Sequence, residues 1–198
     1  MNKKHPTVQD EEGNGAAEVD RRVRRTSHAL MNALLELAVA KRYDRITIQD
    51  LLDRADIGRS TFYSHYRGKD DLLLRGFARM LEWMDGEMGP DGPETPRLAP
   101  VAELFRHVGQ VPAFHQNLVR AHMVDRVYQV GTAQLGKSIA RRLAAWPPER
   151  RPGTVPTPLA AQALAGACFG LLRWWLDHQR PETPEEMDRI FHELWGGG

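Results

Sequence analysis

The sequence lacks most of the features that mark secreted or membrane proteins. Its 198 residues include one cysteine, Cys168, so no disulfide can form within the chain. Residues 1–6 contain no apolar stretch, so no signal peptide is expected. The longest apolar run, residues 163–172, is about half as long as a membrane span. These absences predict a cytoplasmic protein that does not interact with membranes.

Motifs of enzymes and cofactor sites are also missing. The chain has no Gly-rich phosphate loop, no His-Glu-x-x-His and no nucleophile elbow. The spacing of His107, His115, His122 and Cys168 matches no compact set of metal ligands. The sequence therefore predicts a protein that is not an enzyme and has no cofactor and no metal site.

Proline is absent between Pro6 and Pro90 and concentrated elsewhere. Residues 86–96 hold three Gly and three Pro, and residues 147–158 hold five Pro, so both segments are predicted loops. No alternating pattern predicts a strand, and the apolar periodicity between the loops is helical. We expect an all-α fold of about nine helices, at 22–41, 47–55, 59–66, 69–84, 98–109, 112–121, 123–146, 158–179 and 184–195.

The net charge is only +1, but it is unevenly distributed. Residues 1–20 carry a net charge of −3, residues 21–75 carry +5 and residues 76–198 carry −1. A basic region of this kind indicates an anionic partner, although a solvated basic face has the same composition. The polar residues 1–20 are predicted to be a disordered arm.

The segment 47–69 contains the pattern of a helix-turn-helix. Two short helical patterns are separated by three residues, and Leu51, Ile57 and Phe62 provide apolar contacts between them. A helix that enters the major groove exposes small polar or cationic side chains near its N-terminal end. In the second helix of this pair those side chains are Arg59, Ser60, Thr61, Tyr63 and His65.

These side chains differ in the DNA groups that they suit. Arg59 is the candidate base reader, because arginine forms bidentate hydrogen bonds with guanine. Tyr63 and His65 suit phosphate oxygens, and Thr61 suits either partner. Lys69 begins the next helix, where its charge and the free backbone amides are expected to hold a phosphate.

Residues 22–75 resemble the N-terminal DNA-binding domain of TetR-family transcriptional regulators. The matching stretches are Ile48–Leu51, Ala55–Tyr66 and Lys69–Leu73. The resemblance implies that Thr47 and Gln49 at the start of the second helix, the polar residues of the third helix and Lys69 contact double-stranded DNA. It also implies two domains, a helix-turn-helix domain at 21–75 and a helical regulatory and dimerisation domain at 76–198.

Two positions depart from the usual pattern of that family. Gly58 stands where a serine often caps the third helix, and Tyr66 stands where phenylalanine is usual. Neither change opposes the resemblance, because glycine is an acceptable N-cap and tyrosine keeps the aromatic ring.

The resemblance further implies a homodimer formed by the last two helices. Helix 158–179 has small side chains on one side, which allow close helix packing, and a long apolar stripe next to them. The last helix has a matching apolar face. The predicted interface is Ala163, Leu164, Ala167, Gly170, Leu171, Trp175, Met187, Ile190, Phe191 and Leu194. The same residues would also suit the core of a single chain. A two-fold dimer would bind a pseudo-palindromic operator.

A small-molecule pocket is the other property that the resemblance implies for the second domain. Its candidate residues are Phe77, Phe105, His115, Met123, Tyr128, Trp146 and Trp174. Large apolar side chains at helical spacing are equally what the core of a helical bundle requires.

The function predicted on this basis is that of a homodimeric repressor, which a small-molecule effector releases from its operator. The alternative is a DNA-binding regulator that responds to a protein partner or has no effector. A polar, filled core in the second domain would favour this alternative.

Overall fold

The structure is a computed structural model that describes residues 8–88, 97–147 and 155–196, with side chains from 21 onward. Within these ranges it contains nine α-helices and no strand, so the all-α prediction is confirmed. The helices are α1 (Val8–Ala40), α2 (Ile48–Ala55), α3 (Arg59–His65), α4 (Lys69–Glu87), α5 (Val101–Gln110), α6 (Pro112–Arg120), α7 (Val124–Ala145), α8 (Thr157–Asp177) and α9 (Pro184–Gly196).

Helix α1 begins at Val8, well before the predicted start at Arg22. The backbone of residues 8–20, predicted as part of a disordered arm, is therefore helical, and residues 1–7 lie outside the described residues. A polar composition prevents a segment from forming a core, but it does not prevent a helix. Once a packed helix exists, each added residue gains a backbone hydrogen bond without a new nucleation cost.

The chain divides into two compact units, the first ending at Leu73 and the second beginning at Leu74. The division falls within α4, close to the predicted domain boundary after residue 75. The core of the first unit consists of fully buried side chains from α1, α2, α3 and the first turns of α4. These are Leu30, Leu34, Leu51, Phe62 and Leu72.

A capping box formed by Thr47 and Asp50 fixes the start of α2. The hydroxyl of Thr47 accepts a hydrogen bond from the backbone N–H of Asp50, and the carboxylate of Asp50 accepts one from the backbone N–H of Thr47. Lys41 Nζ lies 2.5 Å from the same carboxylate. The hydrogen bond from Lys41, followed by those from Thr47, holds the pKa of Asp50 well below its usual range.

The turn between α2 and α3 is made by an aspartate rather than by a glycine. Asp56 adopts the left-handed conformation, with φ of 52° and ψ of 48°. Aspartate is one of the few residues with a side chain that tolerate this conformation. Gly58 then has extended backbone angles and is the N-cap of α3, as the sequence predicts.

The second unit contains the rest of α4 and helices α5–α9. Its core runs between α7 and α8 and includes Leu135, Ile139, Leu164 and Phe169. Helices α5 and α9 are joined by Arg97, which hydrogen-bonds to Glu103 and to Asp188.

A threonine followed by proline stands at the start of both α8 and α9, but the two starts differ. Thr183 caps α9 in a capping box with Glu186. Thr157, by contrast, is the first residue of α8 and not its cap. The residue before it, Pro156, is the cap, and proline has no side-chain group that can bond the free backbone amides.

Helix α8 is long and apolar enough to cross a membrane by length and composition alone. One side of it is buried in the second unit, through residues such as Leu164, Cys168 and Leu172. The core helix of a soluble protein has the same composition, so α8 is weak evidence for a membrane.

Candidate nucleic-acid interface

Helix α3 is held by its apolar side, which leaves its polar side chains outside. Phe62 is fully buried and Tyr66, the C-cap, is nearly so. Arg59, Ser60 and Tyr63 are exposed. Thr61 and His65, the other two predicted contacts, are half-buried on the flanks of the helix.

The two predicted contacts from α2 have partners within the protein. The hydroxyl of Thr47 accepts from Asp50 N in the capping box and also donates to the Asp50 carboxylate. The side chain of Gln49 lies between α2 and α3, where Arg59 Nη2 donates to its Oε1 at 2.7 Å. Both residues are exposed, so their surfaces face solvent beside Arg59.

Lys69 has a structural role that sequence reasoning missed. Its ammonium group donates to the carbonyl oxygens of Tyr43, Asp44 and Ile46 at 2.8, 3.3 and 2.8 Å. It also lies 4.8 Å from the centre of the Tyr43 ring, and burial lowers its pKa. An ammonium has three donors, so a phosphate contact through Nζ would have to replace one of these bonds.

Nothing in the spacing of the sequence indicates this role for Lys69. The carbonyl oxygens belong to a short 3-10 turn at Tyr43–Arg45 and to Ile46, which ends it, and apolar periodicity does not predict this turn. The Tyr43 carbonyl also accepts the backbone N–H of Ile46, and the lysine at the start of α4 adds a second donor to it.

Three of the predicted pocket residues come together in the second unit. Phe77 from α4 and Tyr128 from α7 both pack on Phe169 of α8, at ring-centre distances of 6.2 and 5.5 Å. His115 from α6 stacks on Tyr128, and its Nε2 lies 3.2 Å from the tyrosine hydroxyl. We call Phe77, His115, Tyr128 and Phe169 the aromatic cluster.

The aromatic cluster is partly buried and closely packed. Burial raises the pKa of Tyr128 to about 12 and lowers the pKa of His115. A Cβ atom added to Gly131 would lie 2.2 Å from Phe169 and 2.7 Å from Phe77, so only glycine permits this packing. Phe169 was not among the residues predicted for a pocket, although it belongs to the apolar, buried side of α8.

The remaining pocket candidates lie elsewhere. Phe105 is fully buried against Trp175 at 5.1 Å, Met123 is buried at the start of α7, and Trp146 packs against the core. Trp174 is 43% exposed and stacks on His178, so it does not join the aromatic cluster. Adjacent residues of a helix point about 100° apart, which separates it from the buried Trp175.

Part of the predicted dimer face belongs to the core of the chain itself. Leu164, Trp175, Met187 and Phe191 are buried within the second unit, so their side chains pack in the core of their own chain. The apolar stripe of α8 is the side that its own chain covers. The exposed side of α8 carries the small residues. Ala163 and Gly170 are exposed, and Ala167 and Leu171 are half-buried. On α9, Leu194 is exposed and Ile190 is half-buried.

No group of three or more His, Cys, Asp or Glu side chains that could hold a metal ion occurs among the described residues. Cys168 is fully buried, and burial raises the pKa of its thiol to about 12. It therefore packs as a small apolar side chain, because the reactive form of cysteine is the thiolate.

Comparison with known proteins matches the first unit to a family. Residues 30–75 match the family model of "Bacterial regulatory proteins, tetR family". A curated "Uncharacterized HTH-type transcriptional regulator YxbF" from Bacillus subtilis (strain 168) is 46% identical over 57 residues. That match covers 28% of this chain but only 15% of the relative's own length.

Solved structures match nearly the whole chain. A TetR transcriptional regulator from Streptococcus agalactiae 2603V has a TM-score of 0.54 and 23% identity, covering 91% of this chain and 99% of its own. One from Rhodococcus sp. RHA1 has a TM-score of 0.59 and 18% identity, covering 87% and 97%. Because these sequence identities are below 25%, the structural similarity establishes the fold alone.

A helix-turn-helix unit followed by a helical second unit is the architecture that these solved structures share with the chain. Together with the match of residues 30–75 to the family model, it supports a TetR-family transcriptional regulator. The resemblance seen in residues 22–75 is thereby confirmed, and so is the expectation that the protein is not an enzyme, since the members of this family are regulators.

Proposed function

We propose that this regulator is a cytoplasmic homodimeric repressor that binds a pseudo-palindromic operator and releases it when a small molecule binds the second unit. The observation that carries the DNA-binding part is the exposure of Arg59, Ser60 and Tyr63 on a helix anchored by Phe62. Arginine is the commonest side chain to read guanine in the major groove.

The exposed side of α8 supports the homodimer. Ala163, Gly166 and Gly170 recur along it at helical spacing, with the large side chains of Leu159 and Trp174 near its two ends. An exposed apolar stripe of this kind favours packing against another helix. A second copy of the chain supplies the same stripe, and two-fold symmetry then makes the contact self-complementary.

The aromatic cluster supports a small-molecule effector. Phe77, Tyr128 and Phe169 present apolar rings, while His115 and the Tyr128 hydroxyl add polar groups at their edge. This combination suits an apolar or aromatic molecule with a hydrogen-bonding group. The effector would act by binding more tightly to the conformation that does not hold the operator.

The close packing over Gly131 favours a second candidate function. The rings of Phe77 and Phe169 already fill the space at this glycine, so no ligand fits between them and the backbone of α7. A regulator with a protein partner, or with no effector, is consistent with such packing.

Binding of the purified protein to the DNA that flanks its own gene tests the proposal. Fluorescence anisotropy at about 50 and 200 mM salt separates specific binding from counterion release. We expect tighter binding than to a scrambled duplex at both salt concentrations, and loss of that difference in Arg59→Ala. Equal affinities for the two duplexes, which decrease equally as the salt concentration rises, would contradict sequence-specific recognition of this DNA.

The same anisotropy assay decides between the two candidate functions. Addition of a panel of aromatic and aliphatic small molecules is expected to release the operator from the wild type. A panel that changes the melting temperature of the protein but never releases DNA would favour the regulator without an effector.

A further inference from the structure

Three exposed polar side chains form a continuous hydrogen-bonded chain from α2 to α3. Asp53 Oδ1 accepts a hydrogen bond from Gln49 Nε2 at 2.7 Å, one turn away on α2. Gln49 Oε1 accepts a hydrogen bond from Arg59 Nη2 at 2.7 Å, at the start of α3. Neither the family resemblance nor the composition singles out Asp53.

The chemistry of the two end groups fixes the orientation of the glutamine. A guanidinium can only donate, and an ionised carboxylate can only accept. The amide oxygen of Gln49 must therefore face Arg59, and its NH2 group must face Asp53. Without Asp53, rotation of the amide by 180° would put its NH2 group toward the guanidinium, where it cannot accept a bond.

We propose that Asp53 is a positioning residue for base recognition, which acts through Gln49 to hold the Arg59 guanidinium ready for a guanine. The inference rests on the proposed DNA-binding function. A guanidinium has five N–H donors, so the bond to Gln49 leaves enough of them for a bidentate contact with guanine O6 and N7. A side chain held before binding loses less conformational freedom when DNA arrives.

The charge of Asp53 argues against a contact with the DNA phosphates. A carboxylate near the phosphates weakens binding to every sequence alike, since phosphates repel it. Its position beside a base reader is useful only if it improves discrimination between sequences. Gln49 links Asp53 to Arg59, because both ends of its amide are bonded within the protein.

Two substitutions at this position separate the charge from the hydrogen bond. Asp53→Asn removes the charge but keeps an oxygen that can accept from Gln49, whereas Asp53→Ala removes both. The probe is the duplex that the wild-type protein selects from a random library, with each base pair then changed singly. Affinities for all these duplexes give a discrimination factor at each position.

Arg59→Ala should lower the discrimination factor at one G·C position in each half-site by about tenfold. Asp53→Ala should lower the discrimination factor at the same position by about threefold, which corresponds to the net free energy of one hydrogen bond. Asp53→Asn should keep the wild-type factor there. Both Asp53 variants should bind non-specific DNA more tightly, and a variant carrying both Asp53→Ala and Arg59→Ala should discriminate no worse than Arg59→Ala alone.

The possible failures are distinguishable from one another. If the wild type selects no sequence, the proposed function is wrong. If the wild type does select a sequence, two results would show that Asp53 does not position Arg59. In the first, Asp53→Ala keeps the wild-type discrimination factor at the base pair that Arg59 reads. In the second, it lowers the discrimination factors at all base pairs equally. A merely structural role of Asp53 would lower the melting temperature of the protein and weaken its binding to every duplex alike. It would not single out one base pair.

Discussion

The hydroxyl groups of Ser27 and Tyr66 lie 2.7 Å apart and connect α1 to the residue that ends α3. Both side chains are buried, with 8% and 3% of their surfaces exposed. Tyr66 stands where phenylalanine is usual in the family, and Ser27 on α1 satisfies the extra oxygen. The end of the proposed recognition helix is thus anchored by a polar contact as well as by the ring.

Tyr66→Phe should lower the free energy of unfolding by about 1 kcal/mol, because the buried hydroxyl of Ser27 loses this partner. Ser27→Ala should have a similar cost, and the double variant should cost less than the sum of the two. Urea denaturation followed by circular dichroism measures all three. Costs that add without any coupling would show that the hydroxyl contact contributes nothing to stability.

Lys69 is expected to stabilise the first unit in addition to any contact with DNA. Lys69→Met keeps most of the apolar stem but removes the ammonium, so the carbonyls of Tyr43, Asp44 and Ile46 lose their donor. We expect a loss of about 1–3 kcal/mol in the free energy of unfolding. Its affinity for all DNA should also fall, with a salt dependence about one unit flatter if the ammonium contacts a phosphate.

The two effects of Lys69→Met can be separated by measuring binding well below the melting temperature. A variant that is destabilised but keeps the wild-type salt dependence would assign Lys69 to the fold alone. A variant with wild-type stability would contradict the role that its three hydrogen bonds indicate. Lys137→Met, which removes an exposed ammonium from α7 in the second unit, controls for the change in net charge.

Local patterns in the sequence were sufficient to predict the helices of the helix-turn-helix. The capping box at Thr47, the glycine cap at position 58 and the apolar periodicity of α2 depend only on residues a few positions apart. The same is true of the apolar contact predicted for Phe62. Each feature follows from one helix and its ends, so no knowledge of distant contacts was required.

The candidate site was less predictable, because it depends on contacts between distant segments. Lys69 bonds to a turn more than twenty residues earlier. Phe169 and Gly131 come together only through the packing of α7 on α8. The sequence does not distinguish the side of α8 that faces its own core from the exposed side, since both carry apolar or small residues.

Acid should weaken the first unit through Asp50. Its pKa is lowered in the folded state, so the unfolded chain binds the proton more tightly and stability falls as the pH falls. The contribution is complete above the unfolded pKa of about 3.9 and is lost progressively below it. Asp50→Asn should therefore melt below the wild type at pH 6, with the difference narrowing toward pH 2. A difference that stays constant over this range would contradict the assignment.

The exposed side of α8 provides the sharpest test of the proposed dimer. A Cβ atom added to Gly166 or Gly170 has no neighbour within 4 Å in the chain itself. Gly170→Arg should therefore leave the monomer intact, and it should strengthen the helix slightly because arginine has a higher helix propensity than glycine. In a dimer packed through this side, however, the same arginine would meet the partner helix.

Sedimentation equilibrium measures the consequence. The wild type should have twice the 22.5 kDa mass of the chain, and Gly170→Arg should approach the mass of one chain. The matched control, Ala113→Arg, places the same side chain on an exposed position of α6 and should remain dimeric. Because two recognition helices are needed to span adjacent half-sites, Gly170→Arg should also bind the operator more weakly. A Gly170→Arg protein that remains a dimer would place the interface on another surface.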